Sequence, residues 1–311
     1  MSLLLQVLVA GLAAGAAYGL IAIAYTLIYR LTGVIHFALG ELINLAVFTT
    51  LFFAAGTGPV TRTNLGFARF FPALAGGVAV AVLCGALVYL VALRPFLRQE
   101  SLIGWVGVLV AVTFGVRGFL TASFARPSYV FPDPFPFSQL GRNGVLELGG
   151  GVTLQIRTFF VIAIGMALAA LAGWILTQTR FGRALQAIES THEGAQLVGI
   201  PTDRLLALAF GLAGALAAVA AVAQAPSAPV SVETGALLGL KGLVAALLVG
   251  FSSPWRAFAA GLAVGVLEGA IATLNIGPFR LGPEYRDIIP LAIALGAIAL
   301  SRIQTRALET E

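Results

Sequence analysis

Five runs free of Asp, Glu, Lys and Arg decide what this chain can fold into: Met1 to Tyr29, Leu42 to Thr61, Phe70 to Leu93, Thr158 to Thr179 and Leu205 to Val232. Each is long enough to cross a hydrocarbon core, which takes about 20 residues of helix. Charged side chains are 10% of the total, against about 25% in an ordinary soluble protein. A water-soluble globule is excluded. A membrane barrel would show apolar alternation over segments of about 10 residues, and these runs are instead continuous and rich in Leu, Ala and Gly. The chain reads as all-α, a polytopic membrane helical bundle in a single domain covering 1–311.

Charge-free runs and flanking arginines place membrane segments near 3–29, 31–55, 70–93, 102–124, 158–179, 203–225, 235–251, 256–276 and 286–303, eight or nine in all. The second and seventh contain Glu41 and Lys241 and are Gly-rich, so either can be a broken or re-entrant helix lining a cavity. No Lys or Arg precedes Arg30, so the first run is read as a transmembrane helix that stays, not a secretory signal. The net charge of +5 comes from 17 arginines and one lysine. They stand singly between apolar runs, which suits anchoring at the lipid interface and not nucleic-acid binding.

Glycine supplies 37 of 311 residues. Gly11, Gly15 and Gly19 recur every four positions, as do Gly235 with Gly239 and Gly261 with Gly265, a spacing that lets helix backbones approach closely in lipid. Cys84 is the one cysteine. It reads as a packed thiol, and with His36 and His192 it is too little for a metal site.

Two polar stretches interrupt the spans. Between 125 and 157, Pro127, Pro132, Pro134 and Pro136 precede two short alternating runs, Val145 to Leu148 and Val152 to Ile156, joined by three glycines, a hairpin signal in a loop. Between 180 and 203, Phe181, Ala184, Leu185, Ile188, Ala195 and Val198 fall near one helical face and the charges fall elsewhere. Gly199 can stop that helix, and Thr202 or Asp203 can cap the next.

These stretches carry a resemblance. Gly33-Val34-Ile35-His36-Phe37-Ala38-Leu39-Gly40-Glu41 resembles the Ile-Asn-Phe-Ala-His-Gly-Glu segment of branched-chain amino acid ABC transporter permeases of the LivH type. Arg180-Phe181-Gly182-Arg183-Ala184 and Gly199-Ile200-Pro201-Thr202-Asp203-Arg204 resemble the two ends of the loop with which that family touches its ATPase. Gly239-Leu240-Lys241-Gly242, running into Ala245-Ala246-Leu247-Leu248-Val249-Gly250, is a third match, in the family's order. His36 and Leu39 stand where the family has Asn and His, and Ser252-Ser253-Pro254-Trp255-Arg256 replaces its Gly-Ser-rich turn.

The resemblance implies a multi-pass subunit of the bacterial inner membrane. Its partners would be two ABC ATPase subunits, a second, paralogous permease and a soluble substrate-binding protein. The chain itself has no P-loop, because Lys241 is followed by Gly242 where phosphate binding needs Ser or Thr. ATP would therefore be held by partner subunits, with no cofactor, metal or enzymatic role here.

Ionisable residues at bilayer depth are expensive unless they face a cavity or an opposite charge. Glu41, Lys241 and Glu268 lie near mid-span, and Arg117 near a span end, where it can snorkel. An ion pair of Lys241 with either Glu and direct substrate contact both fit, and with His36 these residues form the expected translocation path. Arg183 to Leu197 is expected to form one coupling helix that seats Leu185 and Ile188 on an ATPase, oriented by Arg183, Glu189 and Glu193 and stopped at Gly199. The rival reading is a self-sufficient secondary transporter or channel in which Glu41 and Glu268 titrate. Arginine in the alternate loops splits nine against seven, so positive-inside bias is weak. The resemblance implies that 180–203 is cytoplasmic and 125–157 external.

Overall fold

A computed structural model describes residues 2–56, 66–97, 102–124, 126–133, 144–147, 153–273, 275–276 and 279–280, together with 292 and 296. Helix α1 (Ser2–Thr32) stops where Gly33 takes a φ of +70°, a left-handed conformation that residues with a Cβ rarely adopt. Residues 33–38 are not helical, so the expected second segment shortens to α2 (Leu39–Ala55). Helix α3 (Phe67–Leu87) continues through a π-helical turn, Val88–Leu93, into the short α4 (Arg94–Leu97). Then follow α5 (Leu102–Ser123), the strands β1 (Val145–Glu147) and β2 (Thr153–Gln155), and α6 (Ile156–Gln178). The strands form the expected antiparallel hairpin, with Leu146 opposite Leu154.

Helices α7 (Arg180–Ser190) and α8 (His192–Leu197) lead into α9 (Thr202–Gln224), a 3-10 turn at Ala225–Ser227, α10 (Thr234–Leu248) and α11 (Pro254–Thr273). A second small hairpin pairs β3 (Asn275–Ile276) with β4 (Phe279–Arg280), so the eighth expected segment ends short of 276. Among the described residues, five stretches are long and apolar enough to cross a membrane: Leu5–Thr32, Ala68–Phe96, Gly104–Ser123, Ile156–Gln178 and Thr202–Ser227. Helices α2 and α10 are shorter apolar helices, as the Gly-rich segments with internal charges allowed. The expected segment 286–303 lies outside the described residues apart from 292 and 296.

The glycine spacing explains the closest contact. Helices α1 and α11 run antiparallel with Gly11 against Gly265 and Gly19 against Phe258. A Cβ on Gly11 would sit 2.8 Å from the Gly265 carbonyl oxygen, and one on Gly261 would overlap the Gly19 backbone. Gly235 and Gly239 meet α2 at Gly40 in the same way. Without a hydrophobic effect between helices in lipid, such backbone approach is what holds them together. Helices α1 and α9 are the most enclosed of the spans and α5 the least.

Candidate functional site

A cavity of about 330 Å³ lies among α1, α2, α9, α10, α11 and the non-helical stretch between α9 and α10. Around it, polar side chains on three helices, α1, α10 and α11, come within reach of one another. Lys241 on α10 donates to the Glu268 carboxylate on α11 at 3.0 Å and lies 3.2 Å from the Tyr18 hydroxyl on α1. Tyr18 also donates to Glu268, at 2.7 Å. All three residues line the cavity. The Glu268 side chain is 3% exposed and that of Lys241 16%, so the pair is nearly desolvated. Such a pair survives only with good geometry and further hydrogen bonds, and the Tyr18 hydroxyl provides one.

Glu41 is 2% exposed but belongs to a different cluster. The Asn44 side-chain amide, one turn along α2, donates to the Glu41 carboxylate at 3.0 Å and to the Val232 carbonyl at 2.6 Å, while its Oδ1 accepts from the Gly235 N–H at 2.7 Å. Asn44 thus ties α2 to the start of α10 and lines the cavity, whereas Glu41 stands behind it. Of the two candidate carboxylates, Glu268 is the partner of Lys241.

His36 is not among the cavity-lining residues. It lies 1% exposed in the 33–38 connection, with its ring 5.4 Å from that of Phe210. Among the described residues neither ring nitrogen has a hydrogen-bond partner. Arg117 pairs with Glu233 at 2.7 Å, a more definite role than snorkelling alone.

The chain between α9 and α10, the 3-10 turn Ala225–Ser227 and the non-helical residues 228–233, forms one wall of the cavity and is held from several sides. Arg157 at the start of α6 donates to Ser227 at 2.6 Å and pairs with Asp133 at 3.2 Å. Tyr129 forms an isolated antiparallel bridge with Val230. Residues 129–133 of the connection after α5 therefore lie against this wall. Helix α9, 23 residues long, brings the chain here from the far end of the bundle, roughly 34 Å at 1.5 Å per residue.

At that far end the expected single helix is two. Thr191 is extended, at φ −157° and ψ 115°, and divides α7 from α8. Consecutive Ser190 and Thr191 favour caps over helix interiors, which places the break. Thr179 caps α7 by accepting the Gly182 N–H at 3.1 Å. Gly182 is required because a Cβ there would overlap the Ile175 and Leu176 carbonyls. Gly199, at φ +81°, closes α8: its N–H reaches the Gln196 carbonyl and that of Ile200 the Ala195 carbonyl, each at 3.0 Å. That is the Schellman pattern. The next helix starts with Thr202 inside it and no side-chain cap. Asp203 instead pairs with Arg94 at 2.6 Å and accepts from Tyr89 at 3.1 Å.

The apolar stripe offered to a partner is already buried. Leu185 and Ile188 are each 3% exposed, packed into this chain's own core beneath α1 and α6. Glu189 pairs with Arg30 of α1 at 2.7 Å, while Arg183 and Glu193 are exposed. The exposed apolar pair is instead Leu197 at 88% and Val198 at 75%, at the tip of α8. One apolar stripe in a sequence does not tell whether its cover comes from the same chain or from another.

Residues 7–298 match the family described as branched-chain amino acid transport system / permease component. The chain belongs to that permease family. This permease is 29% identical over 300 residues to the high-affinity branched-chain amino acid transport system permease protein BraD of Pseudomonas aeruginosa, covering 94% of this chain and 92% of the relative. It is 27% identical over 298 residues to the permease protein LivH of Escherichia coli K12, covering 94% and 91%. A shorter likeness, 32% over 140 residues and 43% of this chain, is to the autoinducer 2 import system permease protein LsrC of Klebsiella pneumoniae, of which it covers 40%. No solved structure matches the permease. Its cavity includes Tyr18, Asn44, Gln224, Ser227 and Thr234, which sequence reasoning passed over. Asn44 had a signal, since it lies three residues from Glu41 on one helical face.

Proposed function

We propose that this permease is the membrane-spanning subunit of an ATP-binding-cassette importer for branched-chain or related amino acids. It stands in the bacterial inner membrane beside a second, paralogous permease and receives substrate from a soluble binding protein. The cavity lined by Lys241, Glu268 and Tyr18 is part of the translocation path, with Glu41 bracing it through Asn44 and His36 lying farther along that path, beside Phe210. Two ATPase subunits drive it, one docking against α7 and α8 on the cytoplasmic side through Leu197, Val198, Arg183 and Glu193. Leu185, Ile188 and Glu189 seat that element on the bundle, and Gly199 shapes its end.

The observation that carries this reading is the Arg30–Glu189 ion pair at 2.7 Å. It fastens α7 to the end of α1, and Tyr18 of the cavity lies 12 residues back on the same helix, about 18 Å away. A rigid helix thus runs between an exposed charged element and the enclosed site, which suits force supplied by another chain. An autonomous carrier has no need of that connection. The test is uptake of labelled leucine by vesicles holding the permease with its co-purifying subunits. Uptake should require ATP on the α7–α8 side. Uptake driven by a proton gradient with no nucleotide would overturn the proposal.

A further inference from the structure

The cavity lining divides by chemistry. Lys241 and Glu268 supply one positive and one negative group 3.0 Å apart, and Tyr18 touches both. Ile43, Val47, Leu237 and Leu238 supply apolar surface in the same space. At about 330 Å³ the cavity is at the small end of the range for ligand pockets, which suits one small solute.

The pair carries no net charge, and that decides what gains by entering. A monoanion meets Lys241 but also the Glu268 carboxylate beside it, and a monocation meets the reverse, so neither recovers its lost hydration. A polyol of similar size needs hydrogen-bond partners around its whole surface, which Ile43, Val47, Leu237 and Leu238 do not offer. An α-amino acid zwitterion carries its ammonium and carboxylate groups on one and the same carbon. Its carboxylate can face the Lys241 ammonium and its ammonium the Glu268 carboxylate, while an aliphatic remainder lies on the apolar lining.

We infer that the Lys241–Glu268 ion pair is the charge-selecting element of this cavity, which takes a small aliphatic zwitterion in preference to acids, amines and sugars of like size. The inference rests on the proposal that the cavity lies on the transport path. Selection is then exercised by the permease itself as well as by any soluble protein that supplies it.

The test uses the purified permease complex without binding protein, carrying Cys84→Ala and Leu238→Cys, so that a thiol reagent reports on the cavity. Three probes share one carbon skeleton: L-leucine, isopentylamine, which lacks the carboxylate, and 4-methylpentanoate, which lacks the ammonium. Leucine should slow labelling, and the amine and the acid should each need at least about tenfold more to do so, the cost of one charged hydrogen bond. The neutral pair Lys241→Gln/Glu268→Gln leaves no unpaired buried charge and should weaken protection by leucine by about tenfold or more. Equal protection by all three probes, or none by any, overturns the inference, and so does undiminished protection in an assembled neutral pair. If that variant does not assemble, the three-probe comparison decides alone. Absence of leucine protection while Lys241 and Glu268 are intact, with ATP-driven uptake preserved, refutes the selecting role only. Protection without ATP dependence refutes the importer reading instead.

Discussion

Tyr129 and Val230 exchange both of their backbone hydrogen bonds, each 2.8 Å long, and so join the loop after α5 to the wall of the cavity. Val230 lines the cavity and Tyr129 packs edge-on against Phe124 and Phe48. Asp133, Arg157 and Ser227 make a second clasp between the same loop and the same wall. Residues 129–133 thus form a strap on the outside of the cavity wall, tied to it by two backbone bonds and through Arg157. In a hydrogen-bonded antiparallel pair the Cα atoms lie about 5.5 Å apart, within the roughly 4.4–6.8 Å that a disulfide spans. Tyr129→Cys with Val230→Cys, in a Cys84→Ala background, should cross-link on oxidation. Uptake should stop in the oxidised complex and return with dithiothreitol. Full uptake through the cross-linked permease would show that the strap stays shut throughout the cycle.

The Lys241–Glu268 pair makes single and double changes behave differently. Lys241→Ala takes the cation away from a buried carboxylate that also accepts from the Tyr18 hydroxyl. Breaking one side of a buried pair costs about 3 to 5 kcal/mol, whereas removing both charges is milder. Thermal unfolding of the purified complex should thus fall steeply for Lys241→Ala and much less for Lys241→Met with Glu268→Met. Equal losses would show that the two residues do not act as a pair.

His36 presents the opposite case. Its two ring nitrogens are buried without partners among the described residues, against the ring of Phe210. A buried polar group left unsatisfied costs about 1 to 3 kcal/mol. His36→Leu removes that cost while keeping an apolar contact with Phe210, so thermal stability should hold or rise. A marked loss of stability would mean that the imidazole is bonded in the assembled complex, to a partner subunit or to water.

Local chemistry made most of the fold legible. Four of the five charge-free runs marked spans to within about five residues, the four-residue glycine spacing marked the faces on which α1 and α11 meet closely, and Gly199 marked the end of α8. What escaped was long-range. Lys241 and Glu268 stood out as costly charges, yet nothing in the sequence chose Glu268 over Glu41, because the choice depends on how α10 and α11 cross. Tyr18 was one aromatic residue in an apolar helix until α11 placed Glu268 against it. The segment 33–38 looked like part of a span because its residues are mainly apolar, and only the left-handed turn at Gly33 removes it from the helix.

The division of apolar residues at the α7–α8 end gives the sharpest contrast between fold and coupling. Leu185 and Ile188 are buried within this chain, whereas Leu197 and Val198 are exposed beside the Gly199 turn. A carboxylate introduced at a buried site must be desolvated or neutralised, at a cost of several kcal/mol. Leu185→Asp or Ile188→Asp should therefore detach α7 from the bundle and lower the yield of folded permease. Leu197→Asp with Val198→Asp changes only exposed positions, so the bundle should fold with unaltered thermal stability. If these two side chains fill a cleft on the ATPase, truncating or charging them removes the apolar anchor of that interface, where a few residues carry most of the binding energy. Co-purification of the ATPase and substrate-stimulated hydrolysis should then both fall by about tenfold or more, since a loss of about 1.4 kcal/mol already amounts to tenfold. A folded double mutant that keeps its ATPase and its hydrolysis would move the docking surface to the charged flank, where Arg183 and Glu193 are exposed.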